Sequence, residues 1–236
     1  MNAIISIFKK ELKSIFYSPI AYVIGAVILG LAGYFFSVNL FVSRIADLTG
    51  AFMNLGVVLI FTVPALTMKL LAGEEQAGTM EFLLTSPISV FQLIIGKYLA
   101  SLVFFLFITA FTLIYPGILF ALSAPDSGII IVSYIGFLLL VASYISVGLL
   151  CSSLTTSQVV ASISSFGVLL LLWVSSWLSS NTSGILSSFI KTLSMSEHYM
   201  DFLRGIIDTS HLVYFVSIIL VSLTLSAINI SRHTCS

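Results

Sequence analysis

Three carboxylates, Glu74, Glu75 and Glu81, crowd one polar break in an otherwise apolar first half of the chain. The break runs from Lys69 to Tyr98, KLLAGEEQAGTMEFLLTSPISVFQLIIGKY, and holds three of the nine acidic and two of the nine basic residues. Gly73 and Gly78 have the first spacing of a phosphate loop. Thr79, however, stands where that loop's lysine must reach the phosphates, and the glycines do not lie between a strand and a helix. The sequence also has no H-E-x-x-H, no G-x-S-x-G and no paired carboxylates inside an apolar segment, so neither metalloprotease nor serine-hydrolase chemistry has its residues. Nothing here hydrolyses ATP unaided. His198 and His211 either anchor helices at an interface or bind metal, and anchoring is expected.

The elements that must position these residues are membrane helices. Hydrophobic residues make up 59% of the chain and charged residues 8%, with a mean hydropathy of +1.18, against roughly 25% charged residues in a soluble domain. The solvent is therefore a bilayer, and the chain is expected to be a single transmembrane domain over residues 1–236. Formal charge is zero, nine of each sign, which argues against a nucleic-acid face or a polyanionic substrate held by bulk charge. Cys151 and Cys235 lie far apart without C-x-x-C spacing, so no disulfide framework or metal site is expected. The first apolar run, Ile20 to Val42, exceeds the 7–15 residues or so of a signal-peptide core and is expected to remain in the mature protein.

Six segments approach or exceed the ~20 residues that cross a bilayer: Ile20 to Phe41, Ala51 to Leu71, Phe91 to Phe120, Ile129 to Leu150, Val159 to Leu178 and Leu212 to Ile230. Six crossings put both termini on one side, with Lys9, Lys10, Lys13, Lys69, Lys97 and Arg232. Arg44, Lys191 and Arg204 fall on the other, so the positive-inside rule makes the terminal side cytoplasmic and the Lys69–Tyr98 break a cytoplasmic loop. Before the first span, Met1 to Tyr17 has a helical period with a basic face, predicting a helix in the membrane interface.

Within the loop, Thr79 to Thr85 lacks breakers and predicts a short surface helix that ends at Ser86-Pro87. Ser89 and Gln92 have capping-box spacing, so the next helix starts there, with Lys97 near enough to the boundary to snorkel. The order Glu74-Glu75, Gly78-Thr79-Met80-Glu81, Leu83-Leu84-Thr85-Ser86-Pro87, then Gly96-Lys97, resembles the cytoplasmic coupling-helix loop of type 2 ABC exporter permeases.

That resemblance implies an all-α integral membrane protein with an N-terminal elbow helix, six transmembrane helices and a cytoplasmic coupling helix between spans two and three. It implies that Glu74, Glu75, Thr79, Met80, Glu81, Phe82, Leu83 and Pro87 dock a separate ABC ATPase, with ATP and magnesium on that partner and no cofactor bound by this chain. A second permease copy or a homologous permease would complete the assembly in the inner membrane.

Between spans five and six, apolar residues from Ile185 to Leu193 and from Ser196 to Ile207 predict two short amphipathic helices, with Asp201-Arg204 and Arg204-Asp208 at pairing distances. The string His198, Tyr199, Phe202, Arg204, Asp208 resembles the sequence before the last span in the gliding-motility-type branch of these permeases, where external re-entrant helices cap the cavity. It leaves a second expectation open, a force-transmitting component that couples ATP hydrolysis to an extracytoplasmic accessory protein. Ala21-Gly25 and Ala26-Gly30, with Gly33, Gly136 and Gly148, are expected at close helix contacts. Pro64 and Pro116 are expected to kink spans, with the freed carbonyls satisfied by neighbours. Serines of spans four and five either line a polar path or bond the carbonyl a turn behind, the latter being preferred.

Overall fold

The computed structural model describes residues 2–42, 47–80, 88–123, 125–180 and 191–234. An amphipathic helix, α1 (Asn2–Tyr17), turns at Ser18 into α2 (Pro19–Ser37), where proline occupies the first helical position and its missing N–H leaves no donor orphaned. A π-helical stretch, Val38–Val42, extends α2. The chain then returns through α3 (Thr49–Thr67) and a one-turn helix, α4 (Ala72–Gln76). The third crossing is α5 (Val90–Phe111) followed by α6 (Ile114–Leu122), and the fourth is α7 (Ser127–Ser153). The remainder is α8 (Gln158–Ser180), α9 (Met195–Leu203) and α10 (Thr209–Thr234). Six helical stretches are long and apolar enough to cross a membrane, and the described residues contain no strand. The spans match the six expected segments closely.

Local chemistry accounts for the boundaries. Ser89 and Gln92 form the expected capping box, Gln92 N–H donating to Ser89 Oγ at 3.3 Å and Ser89 N–H to Gln92 Oε1 at 3.2 Å. Asp126 caps α7 through Gly128 N–H at 2.8 Å. The third span breaks at Thr112-Leu113, and Pro116 falls in the first turn of α6 rather than inside one continuous helix. The Thr112 carbonyl there accepts the Tyr134 hydroxyl at 2.8 Å, so a neighbouring span supplies a donor at the break.

The core is organised on α7, which packs against α3, α5, α8, α9 and α10 and buries residues on every face of its middle. Span two is 67% buried in its most apolar window and span five 17%. Spans two and four are thus the interior of the bundle, while α2 and α8 leave apolar sides uncovered within this chain. Glycine permits the closest approaches along α7. A β-carbon on Gly136 would lie 2.8 Å from Phe202 Cγ, and one on Gly148 would overlap the Thr67 side chain. Among the described residues, nothing outside its own helix turn lies within 4 Å of where a β-carbon on Gly30 would be, so its expected helix contact is not met by them. The serines largely bond backward, Ser146 to Ser143 O at 2.8 Å and Ser175 to Leu172 O at 2.9 Å. Ser143 instead reaches Phe215 O at 3.5 Å across to α10.

Candidate coupling site

On the side of the chain termini, α1 lies along the start of α5. Ile7 and Ile15, eight residues apart on α1, are buried, and midway between them, four residues from each, is Glu11, 7% exposed. Gly96 lets the two helices meet: a β-carbon there would sit 2.7 Å from Ile7 Cγ2. This contact closes over the next residue, Lys97, whose side chain is entirely buried.

Burial without a counter-charge would cost Lys97 several kcal/mol, and two carboxylates meet it. Its Nζ donates to Glu11 Oε1 at 3.1 Å and lies 2.7 Å from Glu74 Oε2. The latter is an ion pair by distance, although no donor meets that oxygen with hydrogen-bond angles among the described residues. Lys10, largely exposed, closes the ring from outside at 3.5 Å from Glu11 Oε1 and 3.4 Å from Glu74 Oε1. Two cations and two anions thus join α1, α4 and α5 without net charge. Lys97 does not snorkel to water as expected, because α1 covers the route and the counter-charges lie inward.

The turn that carries Glu74 is fixed from both ends. Ser152, on α7, accepts the N–H groups of Leu71 and Ala72 at 3.3 and 3.0 Å and donates to Met68 O at 3.2 Å. Beyond α4, Gly78 adopts φ +67°, with Thr79 N–H on Glu74 O at 2.9 Å and Gly78 N–H on Glu75 O at 3.0 Å. This is a Schellman end, which a residue with a β-carbon would strain.

Of the residues expected to dock a partner, Glu74 is committed to the cluster, Glu75 is half-buried, Thr79 is exposed and Met80 is 8% exposed. Glu81, Phe82, Leu83 and Pro87, and with them most of the expected coupling helix, lie outside the described residues. Sequence reasoning passed over Lys10, Glu11 and Ser152. For Glu11 a signal was present, a carboxylate on the apolar stripe of α1 in register with Ile7 and Ile15.

On the far side α9 inserts among α3, α7 and α8 instead of lying on the surface. Met195, Tyr199, Phe202 and Leu203 are completely buried. The Tyr199 hydroxyl donates to Phe52 O at 3.0 Å, Thr49 Oγ1 to Leu203 O at 3.2 Å and Ser196 Oγ to Trp173 O at 3.0 Å. A second Schellman end follows at Gly205, φ +81°, with Ile206 N–H on Asp201 O at 2.9 Å. Of the expected ion pairs, Arg204 to Asp201 is present at 3.8 Å. Asp208 instead turns to the start of α10, accepting Ser210 N–H at 3.0 Å, and that bond holds its carboxyl below the usual range. The first of the two helices expected here falls largely in 181–190, outside the described residues. His198 Nδ1 and His211 Nδ1 are 2.6 Å apart, and His211 Nε2 is 3.1 Å from Asp201 Oδ2. Among the described residues no three His, Cys, Asp or Glu gather as a metal site.

No curated protein matches this chain. Six apolar spans make it a multi-pass membrane protein, and the model of the family described as ABC-2 family transporter protein matches residues 5–230, nearly the whole chain, so the protein belongs to that family.

Proposed function

We propose that this chain is the membrane-spanning subunit of an ATP-driven ABC exporter, working as a pair of permeases with separate ATPase subunits. The terminal side is cytoplasmic, on the positive-inside count, and the ATPase docks on the loop after the second span. The observation that carries the reading is the ring of Lys10, Glu11, Glu74 and Lys97 directly behind that loop. Because Lys97 is wholly buried between carboxylates from two other elements, a push on the loop moves the elbow helix, the end of span two and the start of span three together. Met80, Phe82 and Leu83 then fill an apolar groove on the ATPase, and Glu81 meets a basic residue there. The uncovered apolar sides of α2 and α8, including Tyr22, Val27, Val159 and Ile163, support a second permease as neighbour.

Docking and transmission are separable by experiment. Glu81→Lys makes a like-charge contact that costs several kcal/mol at an interface, so co-purification of the ATPase should fall by more than about tenfold. Asp47→Lys makes the same charge change on the far side and should leave the complex intact. The neutral pair Lys97→Met with Glu74→Gln should keep the ATPase bound while reducing ATP-dependent transport in vesicles. An undiminished complex with Glu81→Lys removes the docking assignment, and full transport by the neutral pair removes the transmission role.

A further inference from the structure

The far-side histidines form a hydrogen-bond chain whose proton count is set by geometry. His198 Nε2 faces the Thr192 carbonyl at 3.1 Å. A carbonyl only accepts, so this nitrogen carries a proton. At the other end, His211 Nε2 faces the Asp201 carboxylate at 3.1 Å, and one proton must lie between them. In the middle, the two Nδ1 atoms meet at 2.6 Å, which requires one proton and excludes two. All three contacts are therefore satisfied by three protons over four ring nitrogens and one carboxylate. In the simplest assignment His198 is neutral, His211 is the cation and Asp201 is the anion.

We propose that Asp201, His211 and His198 form a proton-operated latch, which clamps α9 to the head of α10 when the trio holds three protons and releases it when one is added or removed. Adding a proton to His198 Nδ1 sets N–H against N–H and drives the rings apart. Removing one from His211 leaves either the Nδ1 contact or the Asp201 contact without its hydrogen. Burial holds the His198 ring below the usual histidine range, with the Thr192 carbonyl opposing that fall, as a neutral His198 requires.

The surroundings favour a response to far-side pH. Asp201 is 31% exposed and lines a cavity of about 470 Å3 with Glu197, Met200 and Arg204, so protons reach the chain through it. Charged groups facing the trio are Glu197 on α9, Arg204 just after it and Asp208 before α10. From α10, Tyr214 stacks on His198 at 4.1 Å. The helices α3, α7 and α8 that pack on α9 contain no Asp, Glu, Lys, Arg or His; the titratable group they turn toward Tyr199 and Tyr214 is the phenol of Tyr144. The latch joins α9, which is plugged into the bundle through Tyr199 and Phe202, to the last span.

The chain has three histidines, which makes 15N-histidine NMR of the full protein in nanodiscs decisive, with His233 as internal reference. The expected result is two protonation steps for His198 and His211 more than about one pH unit apart. Amides of α9 should be most protected from exchange between the steps, with protection lost on both sides. Asp201→Asn keeps the acceptor shape without the anion and should lower the upper step by about one unit or more. Simultaneous titration of both rings overturns the latch, as does an upper step that Asp201→Asn leaves in place. Stoichiometric zinc binding through both Nδ1 atoms also overturns it, because the pair would then be a metal site. If the variant does not fold, the separation of the wild-type steps still decides.

Discussion

At the terminal end, α1 and α4 are tied to α5 by Lys97 set between Glu11 and Glu74, whereas at the far end α9 is tied to its neighbours by single hydrogen bonds from Tyr199, Thr49 and Ser196 and by an imidazole pair. At both ends, helices are fastened by polar groups inside an apolar bundle. The terminal ring uses opposite charges that compensate one another, so its strength depends on every member being present. The far end spreads its attachment over several weaker bonds, among them a contact between two imidazoles. Under the proposed function, a rigid joint suits the side where the ATPase pushes, and a releasable one suits the side where the path opens.

The largest effect should come from breaking the rigid joint. Lys97→Met removes the only fully buried cation of the ring and leaves Glu11 and Glu74 facing each other with only Lys10 nearby. An uncompensated buried charge costs about 3–5 kcal/mol, which should appear as a large fall in thermal stability in detergent. Adding Glu11→Gln and Glu74→Gln should recover most of it, since a neutral set of similar volume no longer needs the cation. Wild-type stability for Lys97→Met alone would mean that water reaches the ring and that the contrast between the two ends is not one of rigidity.

A smaller effect is expected from loosening the far end by packing alone. Gly136→Ala places a methyl group against the Phe202 ring, 2.8 Å from its Cγ. Phe202 is fully buried and cannot swing outward, so α9 must shift, at about 1–3 kcal/mol for such overpacking. Exchange protection should fall over α9 and remain unchanged over α1 and α5. Equal losses at both ends would show that the two joints are one cooperative unit.

The sequence showed the spans, the capping box at Ser89 and the two polar regions, because these depend on neighbours in the chain and on one-dimensional hydropathy. Capping glycines at Gly78 and Gly205 were equally local, each two residues beyond the end of a short helix, and were passed over. The ring was half legible: Glu11 on the stripe of Ile7 and Ile15 marks a buried carboxylate, but its partner depends on Gly96 admitting Ile7, a contact between helices some ninety residues apart. The histidine chain was less legible still. His198 and His211 are 13 residues apart, and only the reversal at Gly205 brings α10 back beside α9.

The smallest effect separates two pH responses at the far end. Asp208 is held below the usual carboxyl range first by the Ser210 backbone N–H, then by its hydroxyl, with His211 adding in the same direction. A depressed carboxyl stabilises the fold above its ordinary pKa, and that contribution is lost as pH falls through the lower, folded value. The loss therefore occurs in acid, below the ordinary carboxyl range, whereas the latch depends on the proton shared by His198 and His211. Asp208→Asn keeps an acceptor for Ser210 N–H while removing the ionisation. It should leave stability near neutrality almost unchanged and flatten only the acid limb of the stability curve, with the histidine steps still in place by NMR. If Asp208→Asn also removes the change near neutrality, the start of α10 and the latch titrate as a single network, and the far end has one pH response rather than two.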